Sequence, residues 1–284
     1  EPTGKKVAII GGGPGGLSAA YYLSLMGHKV TIFEQRKQLG GMLRNGIPNY
    51  RLPRTKLDED INAILSTGIE VKKNISVGTD ITLEDINKEY DAIYISIGAH
   101  ADKKIGIDGE DAKIGVTSAV EMLRAIGDDE IPDYTGKKVV VIGGGAVGLD
   151  VVEFFAPRGA EVSIVEMMPI IGNGIDPVSK VDMGTLMDKY HVNQMTNTAL
   201  KEVREDNFLV EANGELKELP FDYGFVCLGM RAEQPILKDL RDAFEEDGSI
   251  EIVNIGDSVR ARRIIEGTEE GRNIINVLKK RDYL

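Results

Sequence analysis

The sequence predicts an α/β fold of two Rossmann-like, three-layer domains, the second inserted into the first, and three observations predict it. Two β-branched apolar runs, each leading into a glycine-rich turn, stand at the start of the chain and at its middle. The segment 5–17, KKVAIIGGGPGGL, recurs 132 positions later as KKVVVIGGGAVGL at 137–149. Two more landmarks repeat in the same order. Thr31-Ile32-Phe33-Glu34 returns as Ser163-Ile164-Val165-Glu166, and the run Tyr90–Gly98 returns as Phe221–Gly229, offset by 131. A period this long is not that of a solenoid; it marks a duplicated domain.

Each element follows from its own pattern. Residues 6–10 and 138–142 are continuous apolar runs, as in strands buried on both faces of a parallel sheet. The turn after each leads into a helix, over roughly 15–26 and 147–157, that ends near Gly27 and at Pro157-Arg158-Gly159. Short strands at 29–33 and 161–165 close the two units. Leu57, Ile61, Ile64 and Leu65 lie at helical spacing within 55–67, and 264–280 reads as another helix. The turn-rich segments Asp102–Ile114 and Ala232–Gly248 mark the boundaries. They give a discontinuous first domain, 1–110 with 241–284, and an inserted domain, 111–240. The strand Ile250–Ile255 then returns to complete the first.

Bulk composition excludes several function classes. The chain's 284 residues suit two domains. A net charge of −12 would repel a phosphate backbone, so no nucleic-acid partner is expected. No apolar stretch approaches the ~20 residues that span a bilayer, and no charged-then-apolar leader is present, so no membrane span and a cytoplasmic location are expected. The first residue is Glu1 rather than methionine, which reads as processing or as a piece of something longer. The single cysteine, Cys227, allows no disulfide, redox pair, iron–sulfur cluster or cysteine-based zinc site within the chain. It falls in a strand and reads as a core residue. His28, His100 and His191 match no metal-ligand spacing, so no metal is expected. Any electron chemistry must use bound organic cofactors.

The two turns carry the chemistry. A lone GxGxxG means little in a chain with 33 glycines, but the physical demand is more specific. The first glycine permits the tight turn off the strand, the second lets a pyrophosphate approach the backbone, and the third packs helix on sheet. The pyrophosphate then rests on N–H groups at a positive helix N-terminus, and an acidic residue further on accepts the adenosine ribose hydroxyls. Gly11, Gly13 and Gly16 meet this with Glu34; Gly143, Gly145 and Gly148 meet it with Glu166. Both acids stand 23 positions after the first glycine, at the end of a strand. Glu166 would repel a ribose 2′-phosphate, and no basic residue follows it until Lys180. NADH is therefore favoured over NADPH at the second turn.

These residues resemble the flavoproteins with two dinucleotide-binding domains, the pyridine nucleotide-disulfide reductase-like superfamily, here without the redox disulfide. The segment 40–53, GGMLRNGIPNYRLP, resembles the small subunit of glutamate synthase. The second half is similar to the C-terminal module of 2-enoate and 2,4-dienoyl-CoA reductases, through Val165-Glu166-Met167, Thr196-Asn197-Thr198 and Ile255-Gly256-Asp257-Ser258-Val259-Arg260. The resemblance implies FAD at the first turn, with Gly11, Gly13, Pro14, Gly15, Gly16, Glu34 and Gln35 around its ADP half. It implies Gly41, Met42 and Leu43 near the isoalloxazine and Arg51 at its polar edge, a solvated loop arginine being the alternative. Val77 would touch adenine through its main chain, and Gly98 would end the strand that closes the domain. Gly256 and Asp257 form the late motif whose carboxylate accepts a ribityl hydroxyl, with Gly267 at the following helix. For the nicotinamide dinucleotide the same resemblance implies Gly143, Gly145, Ala146, Val147, Gly148, Asp150, Glu166 and Gly229.

The function implied is hydride transfer from NADH to FAD, with electrons passed to a further acceptor. No catalytic side chain is needed, because the cofactors carry the hydride. The acceptor would be a small molecule, or an iron–sulfur cluster or FMN in a partner subunit or domain, as in the two branches named. An NADPH-using, glutamate-synthase-like module and a non-catalytic flavin-binding module are the alternatives. On this reading Glu166→Ala weakens NADH binding in a titration while leaving FAD content, read by absorbance, intact; loss of both would contradict two separate sites.

Overall fold

The structure, a computed structural model, describes residues 1–99, 101–102, 104–110, 116–119, 122, 133–232, 238, 241–242 and 253–280. The chain divides into two compact units, one formed by 1–101 with 230–284 and the other by 102–229, so the second interrupts the first. The expected switch points after 110 and 240 adjoin segments outside the described residues, and residues 250–252 of the expected last strand lie outside them.

In the first unit a parallel sheet of five strands has the order β15-β4-β1-β2-β3. Its members are β1 (Lys6–Ile10), β2 (Lys29–Glu34), β3 (Glu70–Lys73), β4 (Ala92–Ile95) and β15 (Val253–Asn254). Helix α1 (Pro14–Leu25) crosses from β1 to β2, which pair in register from Lys6 with Lys29 to Ile10 with Phe33. Alternate residues of β1 point to opposite faces. Val7 and Ile9 join Leu17 and Leu23 of α1, Leu57 and Ile61 of α3 (Arg54–Leu65) and Ile274 of α7 (Ile264–Lys280). Ala8 and Ile10 face the other way, onto Val77, Tyr90 and Ile86 of α4 (Leu83–Glu89). A short α2 (Met42–Asn45) lies between β2 and α3. Two-residue strands β5 (Ala101–Asp102) and β14 (Met230–Arg231) stand where the chain passes between units.

The second unit repeats the arrangement. Its parallel sheet has the order β6-β13-β7-β8-β9, from β6 (Val116–Thr117), β7 (Lys138–Ile142), β8 (Glu161–Val165), β9 (Asn193–Met195) and β13 (Tyr223–Val226). Helix α5 (Ala146–Phe155) continues as a single 3₁₀ turn to Arg158, closed by Gly159 in the left-handed conformation at φ 81°. Val139 and Val141 pack on α5 and on Met183 and Met187 of α6 (Pro177–Lys189). The other face differs. There Val140 and Ile142 are covered by an antiparallel sheet of β10 (Thr198–Val203), β11 (Asn207–Ala212) and β12 (Glu215–Pro220). Alternate residues of β11 are buried, three of the six residues of β10 are buried, and β12 lies at the exposed edge.

The duplication extends to polar detail. Asp91 accepts the Lys6 amide at 2.8 Å and Asp222 accepts the Lys138 amide at 2.8 Å, so each first strand is anchored by the carboxylate that precedes β4 or β13. Those backbone hydrogen bonds hold both carboxyls below their ordinary range, with the neighbouring lysines adding to the effect. Among the described residues no helix is long and apolar enough to cross a membrane.

Phe208 on β11 is fully buried and lies 4.6 Å, centroid to centroid, from Phe221. Phe208→Ala is expected to cost about 3–5 kcal/mol in denaturant unfolding, whereas Leu216→Ala on the exposed face of β12 should change stability by less than ~0.5 kcal/mol.

Candidate functional site

Both glycine turns are shaped by the same four contacts. Gly11 leaves β1 at φ 105° and its amide donates to the Phe33 carbonyl at 2.9 Å. Gly143 leaves β7 at φ 104°, donating to the Val165 carbonyl at 2.8 Å. The next amide reaches a side chain: Gly12 donates to Glu34 Oε2 at 2.9 Å, and Gly144 to Glu166 Oε2 at 2.7 Å. The other carboxylate oxygen of each glutamate accepts a second amide, Arg36 at 2.9 Å and Met168 at 2.8 Å. A carboxylate oxygen has lone pairs for more than one donor, so both acids retain acceptor capacity for hydroxyls. Finally the Gly12 carbonyl accepts from Gly40 at 2.8 Å and the Gly144 carbonyl from Gly172 at 2.7 Å. Gly40 and Gly172 are themselves 132 positions apart, a part of the repeat legible in the sequence but not read from it.

The remaining glycines have separable jobs. A methyl on Gly16 or Gly148 would overlap the carbonyl oxygen of Gly11 or Gly143, so the third glycine is where helix meets turn. A methyl on Gly145 would meet nothing within 4 Å, and on Gly13 only Gly41 Cα at 3.7 Å. The second glycine therefore faces open space at the start of a helix. Gly13 and Gly145 are N-caps with extended backbone and no side-chain cap on either helix. Uncapped first-turn amides with an open approach, beside a carboxylate held by two amides, fit the pyrophosphate and ribose of a dinucleotide in both turns.

Several other expected residues of the first unit converge here. Gly41, at φ 52°, lies against Gly13, so that a methyl on it would stand 2.8 Å from Gly13 Cα. Gly15 abuts the Gly267 carbonyl, and Gly256 approaches Gly267. Asp257 follows Gly256 in a 3₁₀ turn. Its half-buried carboxyl is pushed up by desolvation, and Glu266 and Glu270 add to the rise against the opposing Arg262. Pro14 opens α1, and Gly98 follows β4 at φ 77°. Met42 and Leu43 form the start of α2, Leu43 against the core. Gln35 and Arg51 are exposed, and Val77 is buried on the sheet face opposite α1. In the second unit Ala146 is exposed, Val147 packs on the core, Asp150 is half-buried on α5, and Gly229 stands at φ 94° in open space.

Arg54, the first residue of α3, carries a role that no sequence motif signals. Arg54 donates to the carbonyls of Ile47 at 2.8 Å, Leu43 at 3.2 Å and Leu52 at 3.4 Å, tying the 43–52 loop together, while Arg44 donates to Leu39 O at 2.7 Å. A loop rich in proline and glycine leaves carbonyls unpaired, and a planar guanidinium can gather several.

Comparison with known proteins places this geometry. Residues 5–256 match the family model described as pyridine nucleotide-disulphide oxidoreductase. Over 165 residues, 57% of this chain, the sequence is 47% identical to the NADP(+)-dependent formate dehydrogenase subunit beta of Moorella thermoacetica, of which it covers 23%. Over 180 residues, 59% of this chain, it is 37% identical to the glutamate synthase [NADPH] small chain of Mycobacterium tuberculosis, covering 37% of it. A solved structure of 2-naphthoyl-CoA reductase with 2-naphthoyl-CoA superimposes with a TM-score of 0.80 at 27% identity, over 95% of this chain and 39% of that one. The chain thus spans well under half the length of these relatives.

Gly145→Ala is expected to melt like the parent protein, because its added methyl meets nothing, yet to lose affinity for a nicotinamide dinucleotide measured by titration. Gly148→Ala should instead lower the melting temperature, since its methyl collides with the Gly143 carbonyl.

Proposed function

The chain belongs to the pyridine nucleotide-disulphide oxidoreductase family, and on that premise we propose that it is an FAD-dependent oxidoreductase module that accepts a hydride from a nicotinamide dinucleotide and passes the electrons to a further acceptor. The observation that carries this reading is the duplicated turn, in which an uncapped helix N-terminus stands beside a glutamate held by two backbone amides. One such turn is a binding site; two of them suit a donor and an acceptor of the same hydride. Gly11, Gly13, Gly15, Gly16 and Glu34 would hold the ADP half of FAD, with Asp257 toward its ribityl chain. Gly143, Gly145, Gly148 and Glu166 would hold the nicotinamide dinucleotide.

When bound, the flavin and nicotinamide rings supply the hydride chemistry themselves. The chain's part is to bind and orient. Helix N-termini draw the pyrophosphates, and the glutamates select ribose hydroxyls. A ligand that stabilises the folded state through these turns also raises the melting temperature. With one cysteine the chain cannot hold a cluster by itself, and the relatives bear the names of a beta subunit and a small chain. We therefore assign the acceptor to an iron–sulfur cluster or FMN in a partner subunit or further domain.

Glu166, followed by the exposed Met167 and Met168, favours NADH, because a 2′-phosphate would meet a carboxylate with no basic residue after it in the chain until Lys180. The names of the relatives favour NADPH as the second reading. The purified chain is expected to take up FAD and turn yellow, and under anaerobic conditions NADH should bleach the visible flavin band faster than NADPH. A faster response to NADPH would reverse the cofactor choice. Bound flavin that neither nucleotide reduces would leave a non-catalytic flavin module.

A further inference from the structure

The turn that carries Asp257 is held from outside by two residues that no motif singled out. Gly256 enters it at φ 65°, and its amide donates to Glu270 Oε2 of α7 at 2.6 Å. The other oxygen of Glu270 is paired with Arg262 Nη2 at 2.5 Å. Arg262 then returns to the turn twice: its backbone N–H donates to Asp257 Oδ1 at 2.8 Å, and Nη2 reaches the Gly256 carbonyl at 3.5 Å. Ser258, 1% exposed, donates to the Ile255 carbonyl at 2.5 Å and completes the turn from inside. The guanidinium of Arg262 and the carboxylate of Glu270 thus close a ring around Gly256 and Asp257.

We propose that the Arg262–Glu270 pair is a positioning brace for the flavin contact of Asp257, presenting the Asp257 oxygen that Arg262 does not engage; this rests on the FAD reading above. Both members also set the charge state of that contact. Arg262, from the same loop, favours the ionised carboxylate, while Glu266 and Glu270, facing it from α7, oppose ionisation. Glu266 is itself paired with Arg263. The Tyr94 hydroxyl, buried without a partner among the described residues, feels the charge of Glu270 and stays neutral, its pKa raised by burial.

An ionised Asp257 is the better acceptor for a ribityl hydroxyl, so FAD retention is lost as pH falls through the raised Asp257 pKa. Arg262→Gln removes the cation that favours the ionised Asp257 and moves the midpoint of FAD release to higher pH. Glu270→Gln removes an opposing anion and moves it to lower pH. Each variant is expected to bind FAD about tenfold more weakly at neutral pH, the scale of one lost charged hydrogen bond. Arg262→Lys, keeping charge without the fork, should restore the midpoint but not the affinity. The experiment follows flavin released from the full chain by absorbance after filtration, across a pH series. Opposite displacements of the two midpoints are the expected result. A yellow parent chain whose variants share its midpoint, or shift it in one direction, overturns the brace alone. A parent chain that takes up no FAD overturns the flavin reading, and the brace with it.

Discussion

In each unit a hydrogen bond from the middle amide of a strand-to-helix turn to a glutamate at the end of the next strand governs what lies around it. Gly12 to Glu34 and Gly144 to Glu166 join the tips of two neighbouring parallel strands. The bond satisfies an amide that the tight turn would otherwise leave bare. It also turns the carboxylate toward the start of the helix, where positive potential gathers. Because no side chain caps that helix, its first amides stay open to solvent or to an anion. The glutamate thus ties the turn to the sheet and still has lone pairs to offer hydroxyls.

The sheets supply the rigidity on which such a turn depends. Both faces of each are covered, so β1 and β7 carry apolar residues toward both sides, and a slipped register would gain nothing by exposing one face. The two units solve the second face differently. The first uses the 75–90 segment with α4, while the second uses an antiparallel three-stranded sheet centred on Phe208. A duplicated βαβ core therefore tolerates unlike covers, provided the turn and its glutamate stay in place.

Close approach between α1 and α7 depends on small residues. A methyl on Gly271 would press the Gly15 carbonyl and the Ala19 amide, and Gly15 itself abuts Gly267. This lets the C-terminal helix lie beside the first glycine turn, which is how Asp257 comes to share a unit with a loop more than two hundred residues earlier in the chain. The cost is a crowded set of charges, Asp257, Glu266 and Glu270 against Arg262 and Arg263, settled by pairing.

The repeated apolar run, three glycines and glutamate were legible in the sequence because each is a local demand: a buried strand, a tight turn, an open approach and an acceptor at a set distance. Strands at 6–10, 138–142 and 161–165 and the helix at 264–280 stand where the pattern put them. The covering sheet of the second unit was not legible, since short alternating strands such as 207–212 acquire meaning only from the face they cover. Arg54 and the Arg262–Glu270 pair were invisible for a related reason. Their role is to satisfy backbone groups left over by loops, and which groups are left over is decided only when distant segments are folded together. The sequence by itself determined two dinucleotide turns and their order; tertiary structure decided which charged residues hold the loops around them.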